Sequence, residues 1–532
     1  ALTGDERYLR AIARLLDAWL RDCPYPLGAN WSSPVEHGIR LINWSIVWHL
    51  VGGNESAMFS TPDGRTLRQR WLDSIYQHIR FAEDNYSFHS SADNHLIGEA
   101  AGIFVAAHTW NLWPELDPMR RRAKLILEQE MLKQFAPDGV NREQAFCYHR
   151  FSLEFMLAAH LSGCANNDGF SEIFRARMNA ALGFIASMLD CRGSAPQIGD
   201  SDDGKVFSFA GDGAYSAYEA ILSVGGRLFQ SAGLLAKMRS LRQSSRPYVS
   251  WLALPHWDGA APGEAYSGGL NGDFREGGYL IFGRDLHSPG EFRIVLDVGP
   301  LGYNRIAGHG HADALAMLLS VAGEDFLIDP GTYCYNAAPE WRRYFRGTAA
   351  HNTAMIDDED QSVYGGSFLW LRDVNTSVQA YEDNGVQLIV EASHDGYMSL
   401  DDPVRHSRKV YFDRTTLTLR VEDRFFCAKR HKCSLFWHFS PACNVVGDKL
   451  SLSAQREGGV LCLEVEGEGF SGRLVSGRDE PPGGWASSRF YEREPATSWV
   501  LSGEVDGAMV LVTRMNFAVA DSGSPDRSSP KS

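Results

Sequence analysis

The sequence has no uninterrupted apolar run of the roughly 18 to 20 residues that a membrane-crossing helix needs; its longest, such as 312–322, are short and interrupted. A transmembrane helix is excluded. It also lacks an excess of basic charge, since 51 Lys and Arg face 66 Asp and Glu for a net charge of -15. That argues against a general affinity for nucleic acid, because duplex binders show a basic face. An anionic sugar polymer stays open, provided that clustered Arg, Lys, His or amide donors make a cleft locally positive. No CxxC pair occurs among the nine cysteines, which argues against a zinc ribbon or a thioredoxin-type site. The number is odd, so at least one thiol is free or bonded outside the chain. What is present, 44% hydrophobic and 22% charged residues, is a globular balance rather than that of a disordered or coiled-coil chain.

At 532 residues the chain exceeds one ordinary core, and two or three domains are expected. From Asp5 to about Arg242 the pattern is helical. Tyr8, Ile12, Leu15, Leu16 and Leu20 recur at helical spacing, and further helices are expected over 34–51, 67–81, 94–109, 119–135, 146–161 and 172–189, with a pair around Tyr218 and Leu234. Their connections carry turn chemistry, as in Ser201-Asp202-Asp203-Gly204. The texture then turns to Pro, Gly, Ser and Trp, so we place a helical domain at 1–245, a connector at 246–275 and a β domain at 276–519. Strand-length runs at 279–282, 292–298, 386–392, 409–412, 416–421, 434–439, 460–465 and 509–512 predict a large antiparallel β-sandwich. Residues 520–532, mostly Ser, Pro, Asp and Lys, are expected to be a disordered tail.

Chemistry concentrates in a few segments. In Gly308-His309-Gly310-His311-Ala312-Asp313 two histidines two apart on an extended segment are expected to project to one side of a sheet. Asp329, on the following strand, and His351 complete with His311 a ligand set suited to a borderline divalent ion; polar loop histidines are the alternative. In the helical half, Asp93 or Asn94 is an N-cap candidate beside His95. Tyr148 and Arg150 open another helix, where Tyr148 is either a packed phenol or a catalytic one. Glu36 either orients a neighbour or belongs to a helix N-terminal turn. Trp31, Trp44 and Trp48 stack on sugar or fill the core.

In this order and spacing, 30–40 (Asn-Trp-Ser-Ser-Pro-Val-Glu-His-Gly-Ile-Arg), Asp93-Asn94-His95, Tyr148-His149, 308–313, Asp329-Pro330-Gly331-Thr332-Tyr333 and His351-Asn352-Thr353 resemble the heparinase II/III-like polysaccharide lyases. The resemblance implies an incomplete α/α toroid followed by an antiparallel β-sandwich, and β-elimination on a uronic-acid polymer, with heparin or heparan sulfate favoured. It implies that Asn94, His95 and His309 neutralise the sugar carboxylate and that Tyr148 moves the proton, with His95 or His309 the alternative base. His311, Asp329 and His351 match the family's structural metal site, zinc first, manganese or calcium next. Substrate contacts are expected from Glu36, Arg40, Arg150, Arg305 and Arg346, with Arg342 and Arg343 also near the motifs. A second tyrosine of alginate-cleaving members has three candidates here, Tyr333, Tyr335 and Tyr344. The chain opens Ala1-Leu2-Thr3 without Met or a leader, from which we expect a removed signal or a missing N-terminal portion, and a periplasmic or secreted address.

Two other readings compete. A glycoside hydrolase on a helical toroid would use a carboxylate pair such as Asp93 with Asp200 or Asp202. A non-catalytic polysaccharide-binding or assembly protein would keep the fold and bind polymer without turnover.

Overall fold

The computed structural model describes residues 5–207, 217–242, 270 and 272–519. Most of the expected connector and the whole expected tail lie outside the described residues. The helical part comprises α1 (Glu6–Asp22), α2 (Pro34–Val51), α3 (Pro62–Asp84), α4 (Asn94–Thr109), α5 (Leu116–Gln134), α6 (Phe146–Ala165), α7 (Glu172–Met188), α8 (Ala217–Phe229) and α9 (Ala232–Arg242). Their starts follow local chemistry: Asp5, Thr61 and Ser171 accept backbone N–H groups of the first turns of α1, α3 and α7, and Pro34 and Pro62 sit where no N–H is needed. No helix among the described residues is long and apolar enough to cross a membrane.

Helix α4 runs through the middle of this array and is buried on nearly every side. It meets α2 so closely that a Cβ on Gly38 would lie 2.2 Å from the carbonyl oxygen of Gly98, and one on Gly102 2.3 Å from Cα of Gly38. Glycines thus set the depth of the crossing and bring the N-terminus of α4, with Asn94 and His95, to its place. Trp31 and Trp48 are buried in this core and Trp44 packs edge-on against Trp19, so the sugar-stacking alternative fails for the first two.

The β part begins with an antiparallel sheet of β1 (Asp273–Phe274), β2 (Tyr279–Arg284), β3 (Phe292–Asp297), β4 (Met317–Val321) and β5 (Glu324–Leu327), paired in that order. Its side chains alternate between two cores. Tyr279, Ile281 and Val295 join the core of the helical part, while Leu280, Phe282, Ile294 and Leu296 join that of the sandwich. That is why β2 and β3 read as continuous apolar runs rather than as alternating ones. Opposite stands an eight-stranded antiparallel sheet in the spatial order Asn444–Gly447, Ser451–Arg456, Gly459–Glu466, Ala508–Val519, Thr418–Phe426, Arg405–Asp413, Gln387–His394 and Thr376–Asp383. Phe292 stacks on Phe412 across the core at 5.4 Å between ring centres. A four-stranded sheet of Ser471–Val475, Ser498–Val505, His431–His438 and Ala354–Ile356 shares that core. One helix, α10 (Pro339–Arg346), interrupts the strands and buries Trp341, Arg342, Phe345 and Arg346.

Candidate active site

The site gathers at the N-terminal ends of α4 and α6 and at three loops: 198–204 from the helical part, and 299–316 and 328–338 from the β part. Asp93 caps α4 through the backbone N–H of His95, as the plain N-cap reading had it. The next residue does more. Asn94 is buried and its amide donates to Glu143 Oε2 at 2.9 Å; the same oxygen lies 3.8 Å from His309 Nε2. Burial, together with nearby Asp93, pushes the Glu143 carboxyl up to about 8, against the pull of His309 and Asn94. His95 is half-buried; burial lowers its pKa, with Asp93 acting against the shift and His309 adding to it.

Tyr148, in the first turn of α6, lies under His309, the two rings stacked with centres 3.7 Å apart. The Tyr148 hydroxyl donates to Asp202 Oδ2 at 2.8 Å and stands 3.1 Å from the Tyr335 hydroxyl. Burial first, then Asp202 and Asp200, hold its pKa well above the ordinary phenol range. Of the three candidate second tyrosines the structure brings only Tyr335 to Tyr148. Tyr333 packs against Trp341 and Phe345, and the Tyr344 hydroxyl accepts the backbone N–H of Gly484.

Residues 308–316 contain no strand, so the expected extended segment with both histidines on one side is corrected: it is a loop. A Cβ on Gly310 would lie 1.6 Å from the Leu301 carbonyl oxygen, and this close approach turns the chain so that His309 meets Tyr148 while His311 meets Asp329 and His351. Asp329 in turn lies just past β5, not within a strand. The two histidines are reunited by Asp200. This fully buried carboxylate lies 3.0 Å from His309 Nδ1 and 3.1 Å from His311 Nε2, and accepts both terminal nitrogens of Arg342. Burial opposes its charge, but Arg342 and the two histidines outweigh it and hold the carboxyl well below its usual range. His309 shows the same balance: burial opposes protonation, but Asp200, Glu143 and Asp93 together raise its pKa.

His311, Asp329 and His351 are buried and offer one ligand atom each within 4.8 Å of one another. The set fits a divalent ion on two grounds. His311 Nδ1 and His351 Nε2 are buried without a hydrogen-bond partner, and Asp200 at the far nitrogen of His311 fixes the tautomer that leaves Nδ1 a lone pair. Burial lowers His311 to about 4, against the pull of Asp200, whereas at His351 burial is outweighed by Asp329 and the pKa is raised, so a bound ion would have to displace a proton there. A cavity of about 250 Å³, lined by Asp190, Gln197, Arg293 and Asp325 among others, reaches Asp329 but not Tyr148 or His309.

The expected substrate arginines are mostly spent inside the protein. Arg150 is buried against Glu154 and the Gly204 carbonyl, and Arg346 donates to the carbonyls of Gly366, Ser367, Ala307, Gly308 and Gly310. Arg40 donates to His78 and to the Asn30 carbonyl. Arg150 and Arg346 are thus buried, whereas Arg40 keeps some exposure, with Nη1 3.9 Å from Glu36. Arg305 is exposed on the turn before His309, and Glu36 is exposed on the first turn of α2, 3.9 Å from Arg40. Sequence reasoning missed Glu143 and read the turn at Asp202 only as turn chemistry or as part of a hydrolase pair.

Two family descriptions account for most of the chain: "Heparinase II/III N-terminus" matches residues 1–212 and "Heparinase II/III-like, C-terminal" matches 269–523. The chain belongs to the heparinase II/III-like family of polysaccharide lyases. Solved structures share its fold over nearly its whole length. A heparinase III superposes with a TM-score of 0.75 at 16% identity, covering 99% of this chain and 76% of that one. The heparan sulfate lyase HepC from Pedobacter heparinus gives 0.66 at 17%, covering 98% and 74%. The chondroitin AC lyase of Streptomyces coelicolor A3, in complex with chondroitin sulphate, gives 0.50 at 12%, covering 98% and 72%. No curated protein matches the chain in sequence. The helical part is thus the α/α toroid of these lyases and the β part their sandwich.

Proposed function

We propose that this lyase cleaves a uronic-acid-containing polysaccharide by β-elimination, leaving a 4,5-unsaturated sugar on the new non-reducing end. The observation that carries the reading is the stacked pair of Tyr148 and His309, from opposite halves of the chain, with the Asn94 amide tied to the same His309 through Glu143. Removing a proton beside a carboxylate builds charge on a group that is already anionic, so donors must neutralise it. Asn94, His95 and His309 supply them, and Tyr148 moves the proton. No water enters the bond-breaking step.

A divalent ion held by His311, Asp329 and His351, zinc in the first instance, would bring fixed positive charge and crosslink loop 308–316 to the segments that carry Asp329 and His351. Its role is structural: through the shared loop and Asp200 it keeps His309 aimed at Tyr148. The substrate is a glycosaminoglycan, and we place the protein in the periplasm or outside the cell, where such polymers are met. Because Arg150 and Arg346 are buried and bonded within the protein, lightly sulfated heparan sulfate is expected to be cleaved faster than heavily sulfated heparin. Of the hydrolase alternative's carboxylate pairs, Asp93 with Asp200 is disfavoured, since Asp200 is fully buried against Arg342; Asp93 with Asp202 is left to the test below.

The test is a panel of heparan sulfate, heparin, chondroitin sulfate, hyaluronan and alginate, read by the absorbance of the conjugated double bond. Tyr148→Phe is expected to lower kcat by about 10²–10⁴-fold with KM largely kept. New reducing ends without that absorbance would return the hydrolase reading, and a fully active phenylalanine variant would remove Tyr148 from the chemistry.

A further inference from the structure

Tyr148 and Tyr335 reach the site from different parts of the chain, yet both hydroxyls donate to one atom, Oδ2 of Asp202, at 2.8 and 3.2 Å. The other oxygen of Asp202 accepts the backbone N–H of Gly204 at 2.8 Å, so the carboxylate is aimed by its own turn as well as by the phenols. A phenol that gives its only proton to Asp202 turns its lone pairs elsewhere. In the resting site Tyr148 is therefore set as a proton acceptor. A neutral phenol is too weak a base for a carbon acid unless something removes its own proton in the same motion.

We propose that Asp202 does this, and that Asp202, Tyr148 and Tyr335 form a proton shuttle. The inference rests on the elimination reading above. As the C5–H bond breaks, its electron pair moves into the sugar carboxylate system and its proton goes to the Tyr148 oxygen. The former phenol proton passes to Asp202 Oδ2. The C4–O4 bond then breaks as the C4–C5 double bond forms, and O4 leaves with the electron pair and takes the Tyr335 proton. Asp202 returns its proton to Tyr335. Overall one proton has moved from C5 to O4 and the protein is unchanged. The shuttle also explains how a buried phenol serves at neutral pH without a standing tyrosinate, which burial and the carboxylates of Asp202 and Asp200 disfavour. Among the described residues, the His309 ring and the Arg342 guanidinium also face the pair, the latter 4.9 Å above the Tyr335 ring. Asp202 acts through Tyr148 and is a positioning residue in that sense.

The experiment compares wild type with Asp202→Asn on whichever polymer of the panel yields unsaturated product, measuring kcat, KM and melting temperature across pH. We expect kcat to fall about 10²–10³-fold with KM within about threefold. The ratio of variant to wild-type kcat should rise toward alkaline pH, where tyrosinate replaces the lost acceptor. Undiminished turnover, or a loss that is the same at every pH, overturns the shuttle. Should the asparagine variant not fold, Asp202→Ala assayed with and without formate takes its place; a small carboxylate should restore activity, and no restoration overturns the proposal. If wild type makes no unsaturated product from any polymer, the elimination reading itself has failed, a result distinct from either.

Discussion

Asp200 carries several partners on one carboxylate, and its removal leaves the buried Arg342 charge uncompensated. Breaking such a pair costs about 3–5 kcal/mol. Asp200→Ala is therefore expected to lower the unfolding free energy by that amount in urea titration, as well as to release His309 and His311 from register. Glu99 shows the opposite electrostatic situation. It is fully buried and accepts the Ser87 N–H and hydroxyl at 2.8 and 2.7 Å, and burial pushes its carboxyl up to about 7 despite those bonds. Its folded pKa lies above its unfolded value of 4.5, so the unfolded chain loses its proton first. Stability thus falls as pH rises from about 4.5 to about 7 and is level above that, a total of about 3 kcal/mol at 1.36 kcal/mol per unit. Glu99→Gln can keep both Ser87 bonds and has no proton to lose. The variant should gain on wild type as pH rises through that window, read as a growing difference in melting temperature; an unchanging difference would contradict the assignment.

At the scale of elements, the α2 and α4 crossing depends on Gly38 and Gly102. Gly38→Ala forces a methyl against the Gly98 carbonyl and is expected to cost about 1–3 kcal/mol in denaturant unfolding, with activity reduced through displacement of Asn94. Most of the helices were legible because apolar residues recur along them at helical spacing, and the longer strands because β-formers cluster there. Helix α10 was not. Its eight residues include four charged ones, and only tertiary structure shows that Arg342 and Arg346, one turn apart, are buried against Asp200 and a set of carbonyls. The loop at 308–316 was misread as extended for a related reason: two-residue spacing of His309 and His311 matches a strand, but the tight approach of Gly310 to Leu301 involves residues far apart in local pattern. Tyr148, His309 and the His311, Asp329 and His351 trio were nameable through motif resemblance. Glu143 and Asp202 were not, because a carboxylate before a helix or in an Asp-Gly turn looks like ordinary capping.

At the scale of the molecule, the proposed ion site would join loop 308–316 to the segment just past β5 and to His351 at the end of the turn Thr348–Ala350. Removing a bound divalent ion with a chelator should lower melting temperature and activity together, and restoring zinc should return both; a protein indifferent to complete removal would show the trio to be a hydrogen-bonded cluster only. The sheet β1–β5 gives the molecule its other long-range property. One face of β2 and β3 belongs to the toroid core and the other to the sandwich core, so parting the halves would expose apolar surface to water. Calorimetry is expected to show one unfolding transition rather than two. A chain cut in the 243–269 region should accordingly stay assembled, whereas either fragment produced separately would bare a greasy flank and precipitate. The two architectural units named by the family share one wall in this protein, and neither is expected to keep its shape without the other.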